Sequence, residues 1–212
     1  MNKVLFLDIL TTGSLPQRCG IYAIGGSLCE DHRDSMKELC RFEFRMRPFE
    51  NARISDNSLW LGGVTRSQLL YYKKEDEVLK AFTGILSEAV KLTDPSDKIF
   101  ICGFNTSAFD LPFLKEWFER NSDRNFRNYF HMQTMDLMTL SAYALMDERT
   151  TMKEFNLDTV ARKMGIMTKT SETYCCADNV QTSISVYRKL KEKLGRGEWG
   201  TFSESDKELK NF

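Results

Sequence analysis

The sequence predicts an α/β or α+β sandwich with a mixed β-sheet, and three observations support this prediction. Segments typical of strands fill the first 47 residues, segments with helical spacing of apolar residues dominate the rest, and one strand-like segment at residues 98–104 lies between helices. Strands that follow each other closely pair antiparallel, whereas a strand reached through a helix pairs parallel. Helices that follow such a sheet pack on its faces, which gives a layered architecture.

The first three strand-like segments form the predicted antiparallel part of the sheet. Residues 4–13 begin with an apolar run that ends at Asp8 and then break into a Thr-Thr-Gly turn. This pattern is typical of a buried strand that carries a charged residue to its end. Residues 21–30 contain a Gly-Gly pair, which permits close packing. Residues 39–47 alternate between apolar and polar side chains, as in a strand with one face in water.

Helices are predicted over most of the remaining chain. Residues 75–92 have an apolar stripe at helical spacing, which predicts a helix. Proline is favoured in the first turn of a helix, so Pro112 predicts that a helix begins near Asp110. We expect residues 1–194 to form one domain and the Gly-, Ser- and charge-rich residues 195–212 to be loosely ordered. Three further helices are expected, at residues 135–146, 155–164 and 177–194.

Charge and cysteine content limit the classes of function. The chain contains 30 basic and 30 acidic residues, so no long-range positive field attracts nucleic acid and any such contact needs a local patch. None of the six cysteines is spaced as C-x-x-C, and only two histidines are present. This argues against a structural zinc site and favours reduced thiols in the cytoplasm. The first apolar run is too short for a signal peptide or a membrane span, so we expect no membrane partner.

Three aspartates occupy positions from which a strand or a helix can direct them inward. Asp8 ends the first strand, and Asp110 and Asp178 each begin a helix. Taken singly, the two helix acids are explained as first-turn residues favoured by the helix dipole. Together, carboxylates from distant parts of a chain are what a two-magnesium site needs, because Mg²⁺ prefers carboxylate oxygens. Two such cations, about 4 Å apart, can align a water and a leaving oxygen on a phosphodiester.

Four segments spread along the chain form an ordered set of motifs. They are F-L-D-I-L-T-T-G, C-G-F-N-T-S-A-F-D-L-P-F-L, N-L-D-T-V-A-R-K-M-G-I and A-D-N-V-Q-T. In this order they resemble the DnaQ-like 3′–5′ exonucleases, also called the DEDD group. G-G-V-T at residues 62–65 and M-D-L-M-T-L-S at residues 135–141 add to the likeness, which covers residues 4–194. The resemblance implies an α/β, ribonuclease H-like fold with a central mixed five-stranded sheet flanked by helices.

The resemblance also implies an activity and a set of roles. Asp8 would bridge two Mg²⁺ or Mn²⁺ ions, Asp178 would bind the first and Asp110 would help to hold the second through water. Such a site would release nucleotides from the 3′ ends of single-stranded DNA or short RNA. Single-stranded 3′ ends would be the partner, with a homodimer or a replication or repair protein as further partners. Three residues would line the pocket for the terminal nucleotide: Thr11, Thr12 and Asn105.

Two positions depart from the pattern of the family. Leu10 stands where the family has a glutamate that completes the ligands of the first metal. Thr173 stands where the family usually has its general base, a histidine five residues before the final aspartate. Tyr174, four residues before Asp178, matches the form found in a tyrosine branch of the same group. Residues four apart share a helix face, so Tyr174 is either a candidate to reach the metal-bound water or a packing residue.

These departures leave two hypotheses open. The first is a metal-dependent 3′–5′ exonuclease weakened by a degenerate active site, since general acid–base catalysis alone is worth about 10²–10⁴-fold. The second is a catalytically impaired protein of the same fold that binds nucleic acid ends or a protein partner. A third, purely structural role would make the retained aspartates accidental.

Overall fold

A central six-stranded sheet organises the molecule, whose computed structural model describes residues 2–32, 34–168 and 173–195. The order of strands across the sheet is β4-β3-β2-β1-β5-β6. The strands are β1 (Asn2–Thr11), β2 (Ile21–Asp31), β3 (Met36–Arg47), β4 (Lys73–Lys74), β5 (Ile99–Gly103) and β6 (Met135–Asp136).

The pairing directions confirm the predicted mixed sheet. β1 pairs antiparallel with β2, and β2 pairs antiparallel with β3, whereas β5 lies parallel to β1 on its other side. The sheet has one strand more than the five predicted. Two members, β4 and β6, have only two residues each, and they pair with the ends of β3 and β5. The helix predicted over residues 135–146 is therefore wrong at its start, because Met135–Asp136 forms β6 and the helix runs from Leu137 to Ala144. Two residues are too few to show a period in the sequence.

Helices connect the later strands and follow the last one. α4 begins at Asp110, as predicted, whereas α3 ends at Ala89 rather than at residue 92 because Val90 adopts extended backbone dihedrals. A 3₁₀ helix spans Met146–Thr151. The α-helices are α1 (Asp56–Leu61), α2 (Arg66–Leu69), α3 (Glu75–Ala89), α4 (Asp110–Arg120), α5 (Phe126–Tyr129), α6 (Leu137–Ala144), α7 (Leu157–Lys163) and α8 (Cys176–Gly195).

β1 is buried on both faces. Leu5 and Leu7 belong to a core cluster that includes residues of α3 and α4. Val4 and Phe6 belong to a second cluster, which includes residues of α6, α7 and α8. Because side chains alternate along a strand, this double burial explains the continuous apolar run that precedes Asp8. Asp8 follows in the same register as Val4 and Phe6 and therefore lies on the α8 side of the sheet.

Three expectations concern the chain as a whole. The cysteines are all free thiols, as predicted. Within the described ranges, no helix combines the length and the apolarity needed to cross a bilayer. The tail predicted to be loosely ordered, residues 195–212, lies outside the described residues apart from the end of α8 at Gly195.

Candidate functional site

A cavity of about 360 Å³ opens at the carboxyl end of β1. Its lining comes from the end of β1, from α1, from the turn between β5 and α4, and from the start of α8. The two acidic residues that line it are Asp8 and Asp110. Connections at the carboxyl ends of neighbouring parallel strands meet at one edge of a sheet, which is where α/β folds place ligands.

Asp8 is held by the first turn of α8. The side-chain amide of Asn179 donates a hydrogen bond from Nδ2 to Asp8 Oδ2 at 3.2 Å, and the Cys176 thiol lies close to the same carboxylate. Burial raises the pKa of Asp8 to about 7, and these two side chains partly oppose the rise. A glycine permits this close approach: a Cβ on Gly25, which pairs with Asp8 in the sheet, would lie 2.6 Å from Cys176 Cβ.

Asp110 is buried at the first residue of α4 and only 3% exposed. Its Oδ1 atom has no hydrogen-bond partner among the described residues. Burial, and then the charge of Asp8, raise the pKa of Asp110 well above its ordinary value. A buried carboxylate with an unused oxygen beside a second carboxylate is stabilised by a proton or by a cation.

Asp136 positions the turn that carries Asn105 and leads to Asp110. Its carboxylate accepts hydrogen bonds from the backbone N–H groups of Asn105 at 3.1 Å and Ser107 at 2.9 Å. The same carboxylate caps α6 by accepting from the N–H of Met138 at 3.0 Å. Asn105 adopts a left-handed conformation with φ of 63°, a region that asparagine tolerates better than most residues. Sequence reasoning did not assign this role, although Asp136 lies inside a segment that resembles the family.

The two threonines predicted to line the pocket have different places. Thr11 lines the cavity, and its hydroxyl donates to the carbonyl of Gly13 at 2.7 Å. Thr12 is fully buried and lies outside the lining. Its hydroxyl donates to the Arg53 carbonyl at 2.6 Å and accepts from the Gly20 N–H at 3.0 Å. Thr12 therefore anchors the loop after β1, while Thr11 and the predicted Asn105 lie in the cavity with both aspartates.

Leu10 also lines the cavity, two residues after Asp8 on the same face of β1. It packs against an apolar cluster that contains Tyr22, Leu59 and Cys176. Gly62 lies close to this cluster, since a Cβ there would be 3.2 Å from Leu10 Cδ1 and 2.1 Å from the Tyr22 hydroxyl. Leu10 thus brings an apolar surface to the position where a metal-binding glutamate was expected.

Of the two residues predicted for the site near the start of α8, Tyr174 and Asp178, only Tyr174 lines the cavity. Tyr174 and Asn179 line the cavity, whereas Thr173 and Asp178 are not in its lining. Thr173 instead packs against Gly63. Successive helical residues point about 100° apart, so the face that turns Asn179 towards Asp8 turns Asp178 away. Tyr174 precedes Asn179 by five residues, which is the histidine-to-aspartate spacing of the family.

The sequence contained a signal for this one-residue shift. The buried positions of α8 include Cys176, Val180 and Ile184, and Asn179 lies three residues from Cys176 on nearly the same side. Asp178 lies well away from that stripe and is only partly buried. The metal role expected for Asp178 stays a prediction, and the apolar period of α8 favours Asn179 as the residue that faces the site.

The side chains present fit one divalent cation better than two. Asp8 and Asp110 offer two carboxylates and one unpaired buried oxygen, which suits a single hard cation. Leu10 and Asn179 supply no further carboxylate at the cavity. Over the described ranges, no group of three or more histidine, cysteine, aspartate or glutamate side chains has a geometry that could hold a metal ion.

Comparisons with known proteins agree with this fold. A family model described as the RNase_H superfamily matches residues 55–187. E. coli exonuclease I in complex with a dT13 oligonucleotide has a similar structure, with a TM-score of 0.72 and 18% identity over 92% of this chain and 42% of that one. Its product-bound form gives a TM-score of 0.71 and 17% identity over 92% of this chain and 45% of that one.

A search of curated protein sequences found no match. This chain spans 42% to 45% of the length of the exonuclease I chains just described. At 17% to 18% identity, the structural likeness shows the fold alone, and the predicted ribonuclease H-like architecture is confirmed.

Proposed function

Because this chain belongs to the RNase H superfamily, we propose that its cavity binds the 3′ ends of single-stranded nucleic acid and that its metal-dependent 3′–5′ hydrolysis is residual. The observation that carries the proposal is the composition of the cavity. Asp8, Asp110, Thr11 and Asn105 lie together in the cavity. Of the residues that line it, Asp8 and Asp110 are the two that carry a carboxylate. The chain therefore has a site for a nucleotide with few of the groups that cleavage needs.

The cavity offers both polar and apolar contacts to a terminal nucleotide. The side-chain amide of Asn105 is exposed and can hydrogen-bond to a sugar or base edge. Leu61, Phe109 and Tyr174 add apolar surface, and Tyr174 is 55% exposed at this edge of the cavity. Stacking of a base on an aromatic ring is tolerant of sequence. Similar structures of exonuclease I hold single-stranded oligonucleotides, which supports a single strand as the ligand.

Hydrolysis is limited by what the cavity lacks. A phosphodiester cleaved by two metals needs ligands for both cations and a group that takes a proton from the attacking water. Leu10 and Asn179 add no charge, and both histidines of the chain, His32 and His131, lie outside the cavity lining. Loss of the general base alone typically reduces the rate about 10²–10⁴-fold. Binding is affected less, because hydrogen bonds and stacking do not depend on that group.

A 3′–5′ exonuclease of ordinary turnover is the second candidate. The observation in its favour is that Tyr174 lines the cavity beside Asp8 and Asp110, which leaves its hydroxyl a candidate to act on a metal-bound water. Mg²⁺ or Mn²⁺ would polarise the phosphodiester, and Asp8 and Asp110 would hold it. The cytoplasmic location, the homodimer and the replication or repair partner remain predictions.

The first test measures binding without metal. A fluorescent oligonucleotide with a free 3′ hydroxyl is titrated in EDTA and compared with a circular single strand of the same base composition. We expect tighter binding of the free end, and we expect Asn105→Gly to weaken it because glycine keeps the left-handed turn and removes the amide. Asn51→Ala is the matched control, since Asn51 is exposed and outside the cavity lining. Equal binding of both strands would refute end recognition.

The second test measures hydrolysis with Mg²⁺ or Mn²⁺ and a 5′-labelled strand, beside Asp110→Ala. We expect slow shortening, or none. Turnover of about 1 s⁻¹ or faster, in the range of ordinary enzymes, would establish the second candidate if Asp110→Ala abolishes it. Equal products from both proteins would show that neither comes from this site.

A further inference from the structure

Asp8 is already satisfied by a donor from the protein. The Asn179 amide donates to Oδ2 at 3.2 Å, and the Cys176 thiol lies close to the same carboxylate. Asn179 and Cys176 are three residues apart, on one face of the first turn of α8. Cys176 is 2% exposed, so this contact is shielded from water.

The amide donor opposes a cation at the same carboxylate. An amide N–H points the positive end of a dipole at the oxygen, and its nitrogen has no lone pair to offer a metal. A cation that binds Asp8 at this oxygen must therefore displace the amide. If the amide rotated by half a turn, it would present a neutral oxygen, which adds a ligand but no charge to balance the cation.

The position of Asn179 is fixed from two sides. Gly25 allows α8 to approach the sheet, because a Cβ there would lie 2.6 Å from Cys176 Cβ. The segment before α8 is tied to α1 by a hydrogen bond from the Tyr174 N–H to the Leu61 carbonyl at 2.8 Å. Since both contacts restrain the backbone, residue 179 keeps its direction towards Asp8 when its side chain changes.

We infer that Asn179 holds Asp8 in place of a divalent cation, and that the amide at position 179 keeps the Mg²⁺ and Mn²⁺ affinity of the cavity low. A carboxylate at that position would join Asp8 and Asp110 around one cation. The inference concerns the same cavity and rests on the proposed function for the view that cleavage is residual. Metal affinity, however, is measured without nucleic acid.

The test is a titration of the purified chain with Mn²⁺, read by the electron paramagnetic resonance signal of the free ion. We expect weak binding by the unchanged chain and binding at least about tenfold tighter by Asn179→Asp, because added ligand charge tightens hard-cation sites. Asn51→Asp is the matched control, since it adds the same charge at an exposed asparagine outside the lining. It should leave the affinity unchanged.

A second variant keeps the inference testable if Asn179→Asp does not fold. Asn179→Ala removes the donor without adding charge, so the affinity for Mn²⁺ should rise modestly if the amide competes with the cation. A fall would show that Asn179 is itself a ligand, and it would overturn the inference. Tight Mn²⁺ binding by the unchanged chain that Asp178→Asn weakens would overturn it as well.

Outcomes for the inference and for the proposed function can be separated. If the free-end oligonucleotide does not bind in EDTA but Asn179→Asp gains Mn²⁺, the inference holds and the proposed function fails. If the oligonucleotide binds and a folded Asn179→Asp gains no metal, the reverse is true. Mn²⁺ should also raise the unfolding temperature of Asn179→Asp and not that of Asn51→Asp, since a ligand that binds the folded state stabilises it.

Discussion

The two walls of the cavity satisfy their polar atoms in opposite ways. The β5–α4 wall, formed by Asn105, Phe109 and Asp110, leaves one oxygen of Asp110 without a hydrogen-bond partner in the described residues. The α8 wall, formed by Tyr174 and Asn179, donates an amide hydrogen bond to Asp8. On the β5–α4 wall, the free oxygen of Asp110 can therefore accept a hydrogen bond or bind a cation. On the α8 wall, the Asp8 carboxylate already accepts a hydrogen bond from the protein.

This difference shows that the scaffold of a site and its chemistry can change separately. Asp136 fixes the β5–α4 wall by accepting backbone hydrogen bonds, and Gly25 lets the α8 wall approach the sheet. Neither the Asp136 hydrogen bonds nor the close approach at Gly25 depends on a charged side chain at position 10 or 179. The same fold can therefore support cleavage in one chain and binding in another, so function must be argued from the donor set.

The largest expected effect comes from giving the α8 wall and position 10 of β1 the side chains of a nuclease. The triple variant Leu10→Glu, Tyr174→His, Asn179→Asp adds two carboxylates and a general base to Asp8 and Asp110. We expect metal-dependent shortening of a 5′-labelled single strand to rise by about 10²-fold or more, since a general base alone contributes about 10²–10⁴-fold.

The control for this gain is the same triple variant with Asp110→Ala, which should lose it. Circular dichroism must first show that the variant folds, because Leu10 packs against an apolar cluster. A folded triple variant that binds Mn²⁺ but does not cleave would contradict the alignment of Tyr174 and Asn179 with the catalytic positions of the family.

Most of the fold could be predicted from the sequence, because it follows from patterns that extend over many residues. The apolar run before Asp8, the alternation at residues 39–47 and the apolar stripe of α3 each repeat several times, so a local error does not change the interpretation. The two-residue strands β4 and β6 could not be predicted, because neither contains a repeat.

The site was predicted less completely, because it depends on which side chains face the cavity and not only on which residues are present. Asp8, Asp110, Thr11 and Asn105 share the cavity, while their roles as metal ligands and nucleotide contacts stay predictions. Choosing between residues 178 and 179 required the rotation of α8, and a motif read letter by letter favours the charged residue over its neutral neighbour. The structural role of Asp136 was also hidden, since its backbone partners are 29 and 31 residues away in sequence.

The next largest effect is expected from removing the hydrogen bonds that hold the β5–α4 wall. Asp136→Ala removes the acceptor of three backbone N–H groups, from Asn105, Ser107 and Met138. Hydrogen bonds to charged groups contribute about 1.5–3 kcal/mol each and are not additive, so we expect the free energy of unfolding to fall by about 3 kcal/mol. Urea denaturation measures this change. Asp136→Asn, which keeps one acceptor oxygen, should lose less, and equal losses would mean that a neutral acceptor at this position contributes nothing and that the effect depends on the carboxylate charge.

A smaller effect concerns pH in the absence of metal. Burial raises the pKa of Asp8 to about 7 from an ordinary 3.8, and the neighbouring Asp110 is raised in the same direction. The folded state therefore binds more protons than the unfolded state between these values, so stability falls as the pH rises through this window. One pKa unit corresponds to about 1.4 kcal/mol. Because Asp8 is partly exposed, the effect is smaller than the full shift would give. We expect the free energy of unfolding to fall by about 2 kcal/mol between pH 4 and pH 7.

This pH profile is measured by urea denaturation in EDTA. Asp8→Asn should make the profile less steep, because the amide has no proton to bind in this range, and the slope that remains comes from Asp110, whose pKa burial also raises. The Cys176 thiol also faces Asp8, but burial raises its pKa far above the window, so it should not contribute. Stability that increases from pH 4 to pH 7 in the unchanged chain, and not in Asp8→Asn, would show that Asp8 is stabilised as an anion in the folded protein.

The smallest expected effect tests what the α8 wall contributes to binding. Tyr174 lines the cavity and is 55% exposed, so its ring is available to a base. Tyr174→Ala should weaken binding of a free 3′ end by about 1–2 kcal/mol, in line with the 1–3 kcal/mol per base found for stacking. Tyr174→Phe should bind as the unchanged chain does, because the ring remains. Fluorescence anisotropy in EDTA measures both, with Tyr143→Ala as the control because Tyr143 is similarly exposed, at 57%, and outside the lining. If Tyr174→Phe loses as much as Tyr174→Ala, the hydroxyl is the contact, and the α8 wall binds by a polar group after all.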